Sequence, residues 1–266
     1  MKDAWGRTIE YVRLSLTDAC NFCCPYCRPA EITPQSQTQL LSVDEWMTIL
    51  GAFHHIGVKA VRLTGGEPLL YPHIEELLGR IKESGWFEDI SMTTNGSLLA
   101  SRAQRLKKFG LNRVNISLDS LETEAFAACV GKAGQLESVL DGIRSAINVN
   151  FKSVKINTVL SRYWSDDEVK SLLQYVEKWP VVWRFIEYMP FQGDAFHGPT
   201  FDEWKEQLEH VSGGSLTEVH SVYGFGPATY LALPSGKAVG FIFSMSHSYC
   251  DTCNRVRLTS DGHCLL

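Results

Sequence analysis

The chain has 266 residues, of which 44% are hydrophobic and 21% are charged, a composition typical of a soluble globular protein with a sizeable core. Its net charge of −5 argues against broad nucleic-acid binding but is compatible with a local basic pocket. No apolar run is long enough to span a membrane and the N-terminal residues lack an export signal, so we expect a reducing, cytoplasmic location. There, the eight cysteines are expected to bind metal or take part in chemistry rather than form disulfides.

Predicted strands and helices alternate along most of the chain. Strands are predicted from short apolar runs over residues 11–16, 60–63, 90–93, 113–117, 154–159 and 182–186. Helices are predicted from capping residues and helical apolar spacing over residues 42–54, 74–81, 101–109, 122–129, 135–148, 166–179 and 201–209. These six strand–helix units predict a parallel sheet, either open or closed as a barrel. We expect it to occupy residues 1–190, followed by a linker and a C-terminal piece over 191–266.

A cluster of four cysteines follows the first predicted strand. Cys20, Cys24 and Cys27 have the spacing C-x3-C-x2-C, which lets three thiolates converge on one inorganic centre. Iron–sulfur clusters normally take four cysteines, so a set of three predicts a cluster with one iron open to a small molecule. The alternative is a zinc site with a fourth ligand elsewhere. Cys23 is adjacent to Cys24 and is expected to point away from the same centre.

A second cysteine motif lies near the end of the chain. Cys250 and Cys253 form C-x2-C, and Arg255 and Arg257 follow directly. Two guanidiniums on one side of an extended segment suit a phosphate or a purine edge. By itself the cysteine pair is also compatible with a zinc ribbon.

Together these motifs resemble one known family. The cysteine motif with Tyr26 before its last cysteine is similar to that of radical S-adenosylmethionine (SAM) enzymes. The whole chain resembles the GTP 3′,8-cyclases of molybdenum cofactor biosynthesis, from Arg13 to Gly262 and in the family's order. The matching stretches are RLSLTDACNF, RLTGGEPLL, TTNGSLL, RVNISLDSL, VKINTVL, RFIEYMPF and GFIFSMSHSYCDTCNRVRLTSDG.

The resemblance implies a fold, cofactors and a reaction. The fold would be α/β, a partial (β/α)6 barrel of the TIM type with a C-terminal cluster-binding segment. Two [4Fe–4S] clusters are implied, with SAM bound at the first and cleaved to a 5′-deoxyadenosyl radical. That radical would convert GTP to (8S)-3′,8-cyclo-7,8-dihydroguanosine 5′-triphosphate. The implied cluster ligands are Cys20, Cys24 and Cys27, and Cys250, Cys253 and Cys264.

The resemblance also implies site residues and partners. SAM would be bound by Tyr26, Gly65, Gly66, Glu67, Ser117 and Met189, with Asp119 at a matching strand end. GTP would be bound by Arg13, Arg62, Thr93, Lys155, Arg184, Arg255 and Arg257, of which Lys155, Arg255 and Arg257 are the catalytic candidates. A reductant protein would donate electrons, and a cyclic pyranopterin monophosphate synthase would take the product. The protein could also form a homodimer, which the sequence does not decide.

Departures from the family pattern keep alternatives open. Ala60 stands where the family usually has Lys, and Cys23 and Tyr71 where it usually has Arg. A radical SAM enzyme for another nucleotide or a peptide is therefore the second hypothesis, and a non-enzymatic metal-binding module is the third. The family's spacing would put the third ligand of the second cluster just past Leu266. Either Cys264 serves at a shorter spacing or the natural protein continues, which we favour.

Overall fold

The computed structural model describes residues 2, 6–27, 40–190, 197–219 and 226–265. Within these residues, eleven strands join into a single sheet. The strands are β1 (Tyr11–Ser15), β2 (Ala60–Thr64), β3 (Asp89–Thr94), β4 (Arg113–Ser117), β5 (Ser153–Val159), β6 (Val182–Ile186), β7 (Thr217–Glu218), β8 (Thr229–Ala232), β9 (Ala238–Ile242), β10 (Arg255–Leu258) and β11 (Cys264–Leu265).

The predicted helices are confirmed, with ends that differ by a few residues. They are α1 (Val43–His55), α2 (Ile74–Ser84), α3 (Ala103–Lys108), α4 (Thr123–Val130), α5 (Leu136–Asn148), α6 (Asp166–Lys178) and α7 (Phe201–Ser212). Ser42, Ser165 and Thr200 begin α1, α6 and α7 with complete capping boxes, which satisfy backbone N–H groups that a helix start leaves unpaired. None of the helices in the described ranges is long and apolar enough to cross a membrane.

The sheet is mostly parallel and does not close. Its strand order is β11-β10-β1-β2-β3-β4-β5-β6-β9-β8-β7, and every pair from β10 through β9 is parallel. The six predicted strand–helix units form its centre, which confirms the prediction of a partial barrel. Sequence analysis missed β9 and β10, which come from the C-terminal part and extend the sheet on both sides. The sheet thus runs across the domain boundary predicted at residue 190, and that division stays a prediction.

Side chains alternate between an apolar and a polar face of the sheet. Val12 and Leu14 of β1 are fully buried in the apolar core with residues of the helices, while Arg13 between them faces the other way. The register places Arg257 of β10, Arg13 of β1 and Arg62 of β2 side by side in one row. The inner face of the curved sheet therefore carries a row of arginines.

One carboxylate lies among the cations of this inner face. Asp89 at the start of β3 accepts hydrogen bonds from two nitrogens of Arg113 on β4, with Nε at 2.6 Å from Oδ1. Both side chains are almost fully buried. This bidentate pair neutralises one of the guanidiniums next to Lys155 and Arg62, and it joins β3 to β4.

We expect Asp89→Asn to lower the free energy of unfolding by about 3–5 kcal/mol, because it leaves Arg113 buried without its partner. Asp141→Asn is the matched control, since Asp141 pairs with Arg144 on the exposed face of α5 and its loss is expected to cost about 0–1 kcal/mol. Urea denaturation of both variants measures the difference. Equal destabilisation by the two substitutions would contradict a structural role for the buried pair.

Candidate functional site

The carboxyl ends of the parallel strands surround a cavity of about 380 Å³. Most of the residues predicted to form the site lie in its lining, although they come from every part of the chain. These are Arg13, Cys20, Cys24, Tyr26, Cys27, Arg62, Gly65, Gly66, Thr93, Ser117, Asp119, Arg184, Met189, Arg255 and Arg257. Glu67, Lys155, Cys250, Cys253 and Cys264 are predicted site residues that do not line it.

Gly65 and Gly66 bring the end of β2 against the loop that carries Cys20. The Gly66 N–H donates to the carbonyl of Thr17 at 2.6 Å. A Cβ atom would lie 2.6 Å from the Thr17 oxygen at Gly65 and 2.3 Å from the Ala19 oxygen at Gly66. Both distances are too short for any side chain, so these glycines are needed for contact between the two loops, besides any access that they give to a ligand.

Glu67 lies beneath the cavity and is fully buried. Its carboxylate accepts hydrogen bonds from the backbone N–H groups of Leu69 (3.1 Å) and Asn95 (2.7 Å) and from the Thr94 hydroxyl (2.7 Å). Burial raises the pKa of Glu67, and these hydrogen bonds oppose the shift. In the structure the carboxylate therefore fixes the end of β3 to the end of β2.

Two asparagines that the sequence analysis missed hold the cysteine loop from its other side. The Asn95 side-chain amide donates to Asn21 Oδ1 at 2.8 Å, and the Asn21 amide donates to Ser97 Oγ at 2.9 Å. The available signal was the TTNG stretch, in which polar residues follow a strand. Through Asn95, the loop bearing Cys20 is tied to the network of Glu67.

Tyr26 and Asp119 anchor the far end of the cysteine loop. The Tyr26 hydroxyl donates to Asp119 Oδ2 at 2.7 Å, and the backbone N–H of Val159 donates to Oδ1 at 2.8 Å. Burial raises the pKa of Asp119 to about 6, although both hydrogen bonds favour the ionised form. The segment between Cys24 and Cys27 is thus attached to the ends of β4 and β5.

The three thiols of the first motif fit an iron–sulfur cluster. Cys20, Cys24 and Cys27 all line the cavity, whereas Cys23 is exposed and does not. Burial, with smaller contributions from Asp119, Cys27 and Cys20, raises the pKa of Cys24 to about 12. Thiols that oppose one another's ionisation in this way suit a cationic centre that stabilises all three thiolates. Among the described residues, no three His, Cys, Asp or Glu side chains form a site for a single metal ion.

Two cysteines of the second motif lie together at the start of β10, and the third does not. The N–H of Cys253 donates to the carbonyl of Cys250 at 3.2 Å. Cys264 on β11 is opposite Leu258, at the other end of β10. Five residues of extended chain from Cys253 to Leu258 correspond to about 16 Å. The structure does not bring Cys264 beside the other two, and its role as a ligand stays a prediction.

Arg255 links this motif to the cavity. Its Nε lies 3.4 Å from Cys253 Sγ, and its guanidinium lies 5.4 Å from the centre of the Tyr249 ring. Burial alone would raise the pKa of Cys253, but hydrogen bonds from Arg255 outweigh burial, and the pKa is lowered. A lowered pKa favours the thiolate, the form of cysteine that binds metal.

Positive charge dominates the remaining wall of the cavity. Of the described residues in the lining, five are arginines and only Asp119 is acidic. Burial lowers the pKa of Arg13 and of Arg184 to about 10, and neighbouring guanidiniums contribute to both shifts. Guanidiniums that outnumber carboxylates in one cavity form a binding site for an anion with several charges.

Arg184 on β6 is the most firmly held of these arginines. Its guanidinium donates to Asn157 Oδ1 at 2.6 and 2.9 Å and to Asn115 Oδ1 at 3.0 Å. A Cβ atom at Gly240 of β9 would lie 2.7 Å from Arg184 Cγ, so the neighbouring strand needs glycine there. Sequence analysis missed Asn115, Asn157 and Gly240, because their relevance depends on strand register.

Lys155 on β5 lies deeper than the cavity wall and is only 4% exposed. Burial, together with the charges of Arg184, Arg113 and Arg62, lowers its pKa to about 6. A lysine with this pKa is largely neutral at pH 8, and a polyanion nearby would restore its charge. Lys155 can therefore respond to an anion in the cavity without lining it.

Comparison with known proteins establishes the family. Residues 14–176 match the radical SAM superfamily, and residues 181–266 match the family described as Molybdenum Cofactor Synthesis C. The chain is 40% identical over 277 residues to the GTP 3′,8-cyclase of Listeria welshimeri, covering 99% of this chain and 80% of that protein. It is 39% identical over 267 residues to the GTP 3′,8-cyclase of Pelotomaculum thermopropionicum, covering 98% of this chain and 82% of that protein. The chain belongs to the GTP 3′,8-cyclase family.

Two solved structures share the fold. SuiB of Streptococcus suis bound to S-adenosylmethionine matches with a TM-score of 0.72 at 17% identity, over 97% of this chain and 60% of that chain. Methylornithine synthase matches with a TM-score of 0.58 at 15% identity, over 94% of this chain and 72% of that chain. These structures share the partial barrel. The match of residues 14–176 shows that the chain is a radical SAM enzyme, with SAM and an iron–sulfur cluster as its cofactors.

We expect Gly66→Ala to reduce the iron and sulfide bound after anaerobic reconstitution, because the new methyl group would displace the loop carrying Cys20. Gly79→Ala is the control. Gly79 lies inside α2, where an added methyl group meets only the Phe109 ring at 3.3 Å and favours the helix. Iron and acid-labile sulfide assays measure the outcome, with circular dichroism to verify folding. A folded Gly66→Ala protein with full iron content would show that the close approach is dispensable.

Proposed function

We propose that this chain converts GTP to (8S)-3′,8-cyclo-7,8-dihydroguanosine 5′-triphosphate, the first step of molybdenum cofactor biosynthesis. The observation that carries the proposal is one cavity in which three thiols of a radical SAM motif share the lining with five guanidiniums. The names of the related GTP 3′,8-cyclases from Listeria and Pelotomaculum support it. A peptide substrate would have little need of five arginines in one cavity.

The cysteine end of the cavity would hold the cofactors. Cys20, Cys24 and Cys27 would ligate the cluster, while Gly65, Gly66, Ser117, Met189 and the backbone of Tyr26 would frame SAM. When bound, the cluster and SAM supply the oxidant that removes a hydrogen atom from the substrate. The apolar side chains of this end would keep water from a reactive species. They are Phe22, Val130, Val159, Ile186 and Ile242.

The arginine end would hold the triphosphate. GTP carries close to four negative charges, and planar guanidiniums can bind phosphate oxygens in pairs. Arg13, Arg62 and Arg184 lie on neighbouring parts of the inner face, while Arg255 and Arg257 extend the site toward the second cysteine motif. Fixing the phosphates there would orient the ribose and guanine toward the cysteine end, and this positioning is the main contribution that the protein makes.

The finer assignments are also proposals. We place a second [4Fe–4S] cluster at Cys250 and Cys253, with Arg255 and Arg257 between it and the triphosphate, and Lys155 as a deeper cation. The lowered pKa of Cys253 supports a metal ligand at that position. A reductant protein would donate electrons, and a cyclic pyranopterin monophosphate synthase would consume the product.

The direct test is an anaerobic assay of the reconstituted protein with SAM, GTP and a strong reductant, read by mass spectrometry. We expect 5′-deoxyadenosine together with an isomer of GTP that has the same mass and a new retention time. Cys24→Ala should abolish SAM cleavage, because the first cluster loses a ligand. If the protein forms 5′-deoxyadenosine while GTP is untouched, the radical SAM assignment stands and the substrate assignment is wrong.

Arg257→Ala is expected to keep the first cluster and uncoupled SAM cleavage but to lose product by about 10²-fold, because the substrate is no longer positioned. Arg80→Ala is the matched control, since Arg80 pairs with Asp44 on the outer surface. Product and 5′-deoxyadenosine are quantified in the same reactions. Full product formation by Arg257→Ala would refute its assigned role.

Lys155 predicts a pH dependence of GTP binding. Because its pKa is about 6 in the free protein and should rise beside a triphosphate, binding takes up a proton above pH 6. Affinity should therefore fall from about pH 6 to about pH 8. Phosphate itself titrates near pH 6, so Lys155→Met provides the baseline. Calorimetry in buffers of different ionisation enthalpy measures the uptake, and an equal uptake by both proteins would contradict the prediction.

A further inference from the structure

Tyr11 of β1 has a buried hydroxyl that lacks a hydrogen-bond partner within the described part of the chain. The residue is only 1% exposed, yet it belongs to the lining of the arginine end of the cavity. Buried hydroxyl groups are nearly always paired, because an unpaired one loses its hydrogen bonds to water on folding. A polar group left unsatisfied next to a ligand cavity indicates that the ligand supplies the missing partner.

The neighbours of Tyr11 explain why the chain itself does not satisfy the hydroxyl. The strand register places Arg255 of β10 on one side and Ala60 of β2 on the other. The Arg62 guanidinium lies 5.1 Å from the centre of the Tyr11 ring. Guanidiniums have N–H donors and no acceptor, and the side chain of alanine has neither. None of these neighbouring side chains can therefore accept a hydrogen bond from the Tyr11 hydroxyl.

The same neighbours define what the partner must be. Burial lowers the pKa of Arg13, of Arg62 and of Arg184, and in each case the nearby Tyr11 opposes that shift. The hydroxyl thus lies in the field of three guanidiniums, which would attract an anionic oxygen to the same place. A phosphate oxygen can accept from guanidiniums and from a hydroxyl at once, and such charge-assisted hydrogen bonds are the strong ones.

We propose that the Tyr11 hydroxyl donates a hydrogen bond to a phosphate oxygen of the bound nucleoside triphosphate. Tyr11 is then a substrate-binding residue that supplies a neutral donor beside Ala60, a position that offers no charge. This inference rests on the proposed function for the identity of the nucleotide. The contact itself requires only a polyphosphate.

Tyr11→Phe tests the contact, because it removes the hydroxyl and keeps the ring under Arg62. The substitution should not destabilise the ligand-free protein, but it should weaken the binding of GTP. Without ligand, the thermal midpoint should stay the same or rise, since an unsatisfied buried polar atom disappears. GTP affinity of the reconstituted enzyme, measured anaerobically by equilibrium dialysis, should fall by about tenfold or more.

Tyr71→Phe is the matched control. Tyr71 is equally buried, but its hydroxyl donates to the Leu41 carbonyl at 2.8 Å and lies outside the cavity. Removing this hydroxyl should lower the thermal midpoint and leave GTP affinity unchanged. A purely structural role for the Tyr11 hydroxyl would make the two variants behave alike.

Inorganic triphosphate as a second probe distinguishes failure of this inference from failure of the proposed function. If the unchanged protein binds GTP and Tyr11→Phe binds it equally well, the inference is overturned. If the unchanged protein binds triphosphate but not GTP, the nucleotide assignment fails, and weaker binding of triphosphate by Tyr11→Phe still supports the contact. Equal binding of triphosphate by both proteins would overturn it.

Discussion

The structure depends on a charge imbalance inside the curved sheet. Five arginines line one cavity whose only described acidic residue is Asp119, at the opposite end near the cysteines. Like charges in one cavity repel, and the folded chain has to hold them in place without neutralising them. It does so with neutral acceptors, as where Asn115 and Asn157 accept from Arg184. The buried ion pair of Asp89 with Arg113 joins β3 to β4 near their starts and leaves the lining guanidiniums available for an anion.

At the cysteine end, by contrast, the loops are fixed by hydrogen bonds within the chain. Glu67 is fully buried, and its carboxylate accepts hydrogen bonds from two backbone N–H groups and the Thr94 hydroxyl, while the charge of Arg102 also favours the ionised form. Glycines at 65 and 66 let the backbone of β2 touch the loop before Cys20. Such packing fixes the loop that carries the thiols to the ends of the central strands.

Sequence patterns were sufficient for the features that are local. The six central strands have short apolar runs, α1 and α6 have capping boxes, and the first cysteine motif has a distinctive spacing. Strands β9 and β10 were missed because neither is followed by an α-helix in the described residues, and their partners β6 and β1 are not the strands that precede them in sequence. Nothing local marks such a segment as part of a parallel sheet.

The sequence also could not predict whether a polar side chain reaches the cavity or lies beneath its lining. Glu67 and Lys155 were both predicted to meet a ligand, and both lie outside the cavity lining. A strand pattern gives the face on which a side chain lies but not its height within a curved sheet, nor which hydrogen bonds compete for it. Tyr11 is the opposite case, because an aromatic residue in a strand is expected to lie in the hydrophobic core, whereas Tyr11 lines the cavity. Only its three-dimensional neighbours reveal that its hydroxyl is unpaired.

The pairing of β10 with β1 is what unites the two ends of the chain in one site. Arg13 and Arg257 are neighbours only because these strands run in parallel register. Three further contacts hold the pairing: Arg7 donates to the Cys250 carbonyl at 2.8 Å, Glu10 N–H to the Asn254 carbonyl at 3.2 Å, and Ser260 to Asp18 at 2.7 Å. The second cysteine motif is therefore attached directly to the strand that carries Tyr11 and Arg13. A shift of one residue in this pairing would turn both arginines of β10 away from the cavity, because side chains alternate along a strand.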